Sequence, residues 1–490
     1  MSLQRPITAP EKPRTQSDGS KYGIGFSSQE RELQLDHLPV QGRIPPWLSG
    51  TLIRNGPAKF EAGRQPFRHW FDGLAMLHQF SLKGGTVAYA NRFLKSRAYT
   101  AAQETGRIGF SEFATDPCRS LFRRIKAMFV PEDLSDNACV NVTRIVDRFL
   151  ALTETPLPIE FDPDTLETVG VLDYADSVRG QITTAHPHYD FARAELLNYV
   201  THFSARSKYT VYRTGSGETR RTPIASMSVS EPAYMHSFAL TEDYVILVEF
   251  PLVVSPVRLL LQGRPFIENF RWKPERGTRF LVFDRAGRSL KGVYESDAFF
   301  AFHHINAWEE RGDVVLDIAA YPDAEILDAL YLERLRRQAG PVPSAAFRRY
   351  RIPVGGSSVK YDVVGDESIE LPRIHYRRCN TKPYRFAFGV STSRQTPGDF
   401  SNQLVKVDVD HGSSATWFSE GCYPGEPVFV APPQAKAEDE GVVLSVVLEA
   451  NRGNSFLLIL DAQSFAEVAR AEVPQHIPFG FHGQFFGDAI

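Results

Sequence analysis

The sequence predicts an all-β chain folded as a seven-bladed β-propeller, with helical and loop insertions capping one face. Three observations lead there. Short apolar runs that end in Asp or Gly recur along the chain, as strands entering turns do. Seven such transitions lie near residues 83, 162, 214, 284, 353, 408 and 461. Their spacing averages about 60 residues, enough for one four-stranded blade with a long loop. Helix signals, by contrast, are few.

In chain order, residues 76–83 run into Gly84-Gly85, and Ile159-Glu160-Phe161 runs into Asp162-Pro163. Residues 209–214 precede Gly215-Ser216-Gly217, and Phe280-Leu281-Val282-Phe283 ends in Asp284 with Gly287 beyond. Residues 347–353 precede Gly355-Gly356, Leu404-Val405-Lys406-Val407 ends in Asp408, and Leu457-Leu458-Ile459-Leu460 ends in Asp461. A set of β-sandwich domains is the competing architecture on this pattern alone. The longest helical stretch, residues 323–338, follows Pro322 and is closed by Gly340 and Pro341. A second lies between Arg119 and Phe129. Both read as insertions on a propeller. Residues 1–23, with Pro6, Pro10, Pro13 and Gly19, read as a flexible N-terminal tail, and residues 24–490 as one propeller domain with an axial site.

Composition narrows the function. The 490 residues are 42% apolar and 23% charged, ordinary for a globular protein. Lys and Arg (55) nearly balance Asp and Glu (58), so no basic footprint for nucleic acid exists. Cys118, Cys139, Cys379 and Cys422 are too few for a disulfide framework and show no CxxC spacing, which fits a reducing cytoplasm. No signal peptide or spanning segment is read; the most apolar stretch, 244–261, is interrupted by Glu249, Pro251, Pro256 and Arg258.

GxSxG, Walker, GxGxxG and HExxH motifs are all absent, so attention falls on histidine. Thr184-Ala185-His186-Pro187-His188 places two imidazoles on one face of any strand. Met235-His236-Ser237-Phe238 and Phe481-His482-Gly483 set a His among apolar and small residues, and Phe302-His303-His304-Ile305-Asn306 sets two adjacent His on opposite faces. Imidazole is a preferred ligand for Zn, Cu, Fe and Ni.

Further segments accompany these. They are Gly50-Thr51-Leu52-Ile53-Arg54-Asn55-Gly56-Pro57, His69-Trp70-Phe71-Asp72-Gly73 and Asp136-Asn137-Ala138-Cys139-Val140-Asn141-Val142. In this order, over about residues 39–483, the chain resembles the carotenoid cleavage oxygenase family, closer to its animal β-carotene oxygenase branch than to the plant one. The family also includes apocarotenoid oxygenases. The resemblance implies non-haem Fe(II) on the propeller axis, with His186, His236, His303 and His482 as ligands and no carboxylate among them. It implies that Glu154, Glu370 and Glu426 hydrogen-bond to ligand His, which fixes the tautomer that leaves Nε2 facing the metal. No catalytic residue beyond the metal site is implied. Each interval between the seven turns, and the stretch after the last, holds one of these seven residues, as an axial site requires. His188 and His304 remain the alternatives to their neighbours.

The implied reaction is cleavage of a C=C bond of a carotenoid or apocarotenoid by O2 into two aldehydes or ketones. Cleavage of a stilbene-type alkene and retinoid ester isomerisation are the alternatives within the fold, and a catalytically inactive propeller binding module is the alternative from a different functional class. Asp116-Pro117-Cys118-Arg119-Ser120-Leu121-Phe122 resembles a membrane-facing stretch of the animal branch. Leu121, Phe122, Ile125, Met128 and Phe129 form one apolar stripe with Arg119, Arg123 and Lys126 opposite, as in a helix lying on a bilayer. A helix packed on its own core fits the same stripe. Residues 250–266 are the second candidate for peripheral contact.

Overall fold

The computed structural model describes residues 22–117, 134–145, 147–261, 264–356 and 358–487. Its strands form seven antiparallel sheets, the blades of a β-propeller, and two small ribbons. Blades are numbered here from the one containing Gly50–Lys59. Blade 4 is representative: Ala239–Leu240 is innermost, followed outward by Tyr244–Glu249, Thr278–Asp284 and Ser289–Ser296.

All seven predicted turns exist, and all are the same turn, the hairpin between the third and fourth strands of a blade. The cause is burial. Where the third strand is buried between two neighbouring blades, as in blades 4 and 7, both of its faces are apolar and it reads as a continuous hydrophobic run. In blades 3 and 5, where it carries Lys208 and Arg213 or Arg348, Arg349 and Arg351, the run is weaker. Asn454–Asp461 in blade 7 shows this residue by residue. Leu457 and Ile459 pack with blade 1, while Phe456, Leu458 and Leu460 pack with blade 6. The terminal Asp then shapes the turn by accepting from its backbone. Asp461 Oδ1 accepts from Ser464 N at 2.7 Å, and Asp284 Oδ1 from Gly287 N at 2.6 Å.

The ring closes on blade 1. Its innermost strand, Gly483–Gly487, pairs antiparallel with Gly50–Lys59, Gly483 opposite Arg54. The approach is tight: a Cβ on Gly56 would sit 2.4 Å from the Gly480 Cα, so only glycine fits there.

Inner strands are short or irregular. In blade 3 the inner edge is split into Ile182–Thr183 and His188–Asp190, both paired with Glu195–His202. In blade 7 it is split into Cys422–Pro424 and Val428–Val430. In blade 5 the inner strand Phe300–Glu310 shifts register on both sides of His304, and in blade 6 Glu370–Ile374 shifts between Glu370 and Arg373. Such bulges re-aim a side chain.

The helix predicted over 323–338 is instead two short ones, Glu325–Ala329 and Leu332–Arg337. Tyr331 between them is extended and bridges to His69, which breaks the run. Helix Arg97–Thr105 carried no clear sequence signal; Ser96 Oγ caps it and Gly106 (φ 63°) ends it. The second predicted helix, between residues 119 and 129, lies outside the described residues with its stripe Leu121, Phe122, Ile125, Met128 and Phe129. In the other candidate contact segment, Phe250 is buried and Phe266, half-buried, packs against the main core. Among the described residues no helix is long and apolar enough to cross a membrane, and Cys139, Cys379 and Cys422 are buried free thiols.

Candidate metal centre

Every irregularity of the inner strands delivers a polar side chain. His186 lies in the gap of blade 3, and His236 precedes the inner strand of blade 4. His303 lies in the bulged strand of blade 5, and Glu370 opens the bulged strand of blade 6. Glu426 lies in the gap of blade 7, and His482 precedes the closing strand of blade 1. A regular strand would bury its backbone and send alternate residues to the neighbouring blades; a broken one can aim a ring along the axis.

The four histidines converge. One ring nitrogen from each of His186, His236, His303 and His482 lies within 4.8 Å of the others. His186 Nε2 is 3.0 Å from His236 Nε2, and His303 Nε2 is 3.2 Å from His482 Nε2. Carboxylates hold the opposite ring nitrogens of three. Glu154 Oε1 lies 2.6 Å from His236 Nδ1, Glu370 Oε2 2.5 Å from His303 Nδ1, and Glu426 Oε1 2.7 Å from His482 Nδ1. All seven residues named from the sequence are therefore in one cluster.

Both alternatives point elsewhere. His188 Nε2 donates to Phe238 O at 2.9 Å and its Nδ1 accepts from Tyr376 Oη at 3.0 Å. His304 turns to the other side of the strand, its Nδ1 2.7 Å from Ser237 Oγ.

Electrostatics keep the cluster ready for a cation. Burial pushes the His186 imidazole well below its ordinary range, the neighbouring His adding to the effect, and pushes His482 down to about 3 against the pull of Glu426. A neutral imidazole keeps a lone pair to donate. Burial works to raise the Glu370 carboxyl, yet His303, the Leu371 N–H and Tyr321 hold it below its ordinary value. Burial acts likewise on Glu426, where Arg373, His482 and Arg54 outweigh it and keep it ionised. Four converging imidazoles, three of them with the tautomer fixed by a carboxylate, are a donor set suited to Fe, Zn, Cu or Ni.

Sequence reasoning missed the outer partners. Tyr234 Oη donates to Glu154 at 2.8 Å and Tyr321 Oη to Glu370 at 3.0 Å. Arg54 and Arg373 both donate to Glu426. Arg54 stands in a segment quoted above for the resemblance, and so do Asn55 and Asn141. Asn55 Nδ2 donates to Ala138 O and Asn141 O, and Asn141 Nδ2 to Ala185 O beside His186. Those segments are thus the lashing that ties blades 1, 2 and 3 together at the cluster.

A cavity of about 300 Å³ opens onto His236, His303 and His482. Trp70, Phe71, Phe302, Phe400 and Phe481 line it, as do Phe113, from the connection between blades 1 and 2, and Leu259, Phe266 and Leu330, from insertions between the second and third strands of blades 4 and 5. The profile of the retinal pigment epithelial membrane protein family matches residues 26–487.

The chain belongs to that family, the carotenoid cleavage oxygenases.

Among its relatives, the carotenoid-cleaving dioxygenase, mitochondrial, of Mustela putorius furo is 36% identical over 519 residues, 94% of this chain and 95% of the relative. The β,β-carotene 15,15′-dioxygenase of Mus musculus is 34% identical over 522 residues, 94% of this chain and 91% of the relative. A solved structure of cobalt-substituted Synechocystis apocarotenoid oxygenase superposes with a TM-score of 0.84 at 27% identity, covering 95% of this chain and 98% of that one. The family's propeller and this chain's propeller are the same fold.

Proposed function

We propose that this carotenoid cleavage oxygenase is a non-haem Fe(II) dioxygenase that splits a C=C bond of a carotenoid or apocarotenoid with O2 into two carbonyl products, residues 24–490 acting as one domain. The observation that carries this reading is the meeting of four imidazoles, three of them tethered by carboxylates, with an aromatic-lined cavity. The dioxygenase names of the relatives support it.

His186, His236, His303 and His482 would hold the iron through the nitrogens that converge, and iron there supplies O2 activation. The protein's own part is binding and orientation. Glu154, Glu370 and Glu426 accept the Nδ1 protons and fix the ring planes. The aromatic wall binds an apolar polyene by excluding water and aligns it past the three His that face the cavity. No carboxylate competes for the cation within the four-His set, and neutral ligands leave its charge intact.

Under ¹⁸O2, with rapid trapping of the aldehydes before exchange with water, both products of a cleaved apocarotenoid carry label and no reductant is needed. Label in one product only would refute the dioxygenase route, and cleavage of a stilbene but no carotenoid would move the substrate class. For peripheral membrane contact the support is the apolar stripe at 121–129. Phe122→Asp with Phe129→Asp lowers co-sedimentation with liposomes at unchanged iron content; loss of iron instead would assign the stripe to the core.

A further inference from the structure

Arg54 reaches the cluster from the second strand of blade 1, Arg373 from the inner strand of blade 6, and Glu426 from blade 7. Each guanidinium makes two kinds of contact. Arg54 donates through Nη1 to Glu426 Oε2 and through Nη2 to Phe481 O at 2.9 Å. Arg373 donates through Nε to Glu426 Oε1 at 2.8 Å and through Nη2 to Gly483 O. The two carbonyls are those immediately before and after His482. Gly483 N adds a donor to Glu426 Oε2 at 3.0 Å.

We infer that Arg54 and Arg373 are positioning residues for His482, gripping at once its carboxylate partner and the backbone on either side of it. The inference rests on the metal reading above. Neither arginine lines the cavity, so neither touches a substrate there. Their geometry is a fork: one prong on the carboxylate, one on the chain. Rotation of the His482 ring or drift of its backbone breaks a charge-assisted bond in either case. A lysine offers a point charge and cannot span both acceptors as a planar fork does. Arg54 is nearly fully buried, while the Arg373 side chain is 28% exposed, so Arg373 can be changed with less risk to folding.

The test titrates Co²⁺ into metal-free protein, following its visible d–d bands, with thermal melting in parallel. Wild type, Arg373→Gln, Arg373→Lys and Arg54→Lys are compared with His303→Ala. Arg349→Gln, at the remote Asp317 pair, serves as a stability control. Arg373→Gln is expected to fold, to bind Co²⁺ about 10–100-fold more weakly, and to shift the bands, because it acts as a partner of a metal ligand. Arg373→Lys recovers part of the affinity, and Arg349→Gln lowers the melting temperature with an unchanged spectrum. Wild-type affinity and spectrum in folded Arg373→Gln, beside loss of binding in His303→Ala, would overturn this inference alone. Absence of Co²⁺ binding by wild type would overturn the metal reading and this inference with it.

Discussion

The Glu426 side of the cluster and the Glu154–Glu370 side hold histidine with different charges. Glu154 and Glu370 each share their carboxylate with a tyrosine hydroxyl, a neutral donor. Glu426 shares its carboxylate with two guanidiniums. On the tyrosine side the negative charge is uncompensated and pulls fully on an imidazole N–H. On the arginine side that pull is offset, but Arg54, Arg373 and the Gly483 N–H together hold the carboxylate in place. His186 completes the range: no carboxylate bonded to it is seen among the described residues. The contrast separates two jobs that a carboxylate partner does, enriching the ring in electrons and fixing it in space.

The largest expected effect removes a ring altogether. His303→Ala or His482→Ala abolishes metal retention and turnover, while His304→Ala keeps its metal; elemental analysis of purified protein checks both. Retention by His303→Ala with loss in His304→Ala would reverse the choice between neighbours.

The next effect divides the two sides. Glu154→Gln and Glu370→Gln each weaken metal binding about 10–100-fold with little change in folding, since the neutral tyrosines accommodate an amide. Glu426→Gln adds a stability loss of about 3–5 kcal/mol, because it leaves buried guanidinium charge uncompensated. Urea unfolding of the three metal-free variants reads the difference; equal midpoints would erase the contrast.

The smallest effect lies at the rim. Asp408 is hydrogen-bonded by Arg385 and held down to about 2, with His411 assisting, at an exposed hairpin. Its folded value lies below the unfolded one of about 4, so its contribution is present above that pH and fades as pH falls through about 2. Asp408→Asn should flatten the acid limb of stability slightly and leave metal affinity alone. A changed affinity would mean that rim charges reach the axis.

These differences follow what the sequence could and could not announce. Third strands such as Asn454–Asp461 are squeezed between blades, so their runs and terminal Asp were legible, and with them the number of blades. Inner strands such as Ile182–Thr183 and Ala239–Leu240 are two residues long and gave no periodic signal. The site sits on them, so its histidines were legible only as short motifs that resemble a family. Arg373 carried no signal of its own, because an arginine three residues after a glutamate reads as an ordinary solvated pair. Its true partner, Glu426, is 53 residues away. The break at Tyr331 was invisible because it answers to His69 in another blade.

The closing strand Gly483–Gly487 imposes an order on assembly. Its pairing with Gly50–Lys59 brings together groups as far apart in sequence as Arg54 and Phe481, separated by 427 positions. During synthesis, a chain that has not yet reached His482 lacks both the closing strand and the fourth imidazole. Sealing the seam and completing the ligand set are one event. A cation bound by the finished set favours the sealed state by mass action. The strand that clasps the ring is therefore also the segment that completes the four-imidazole cluster.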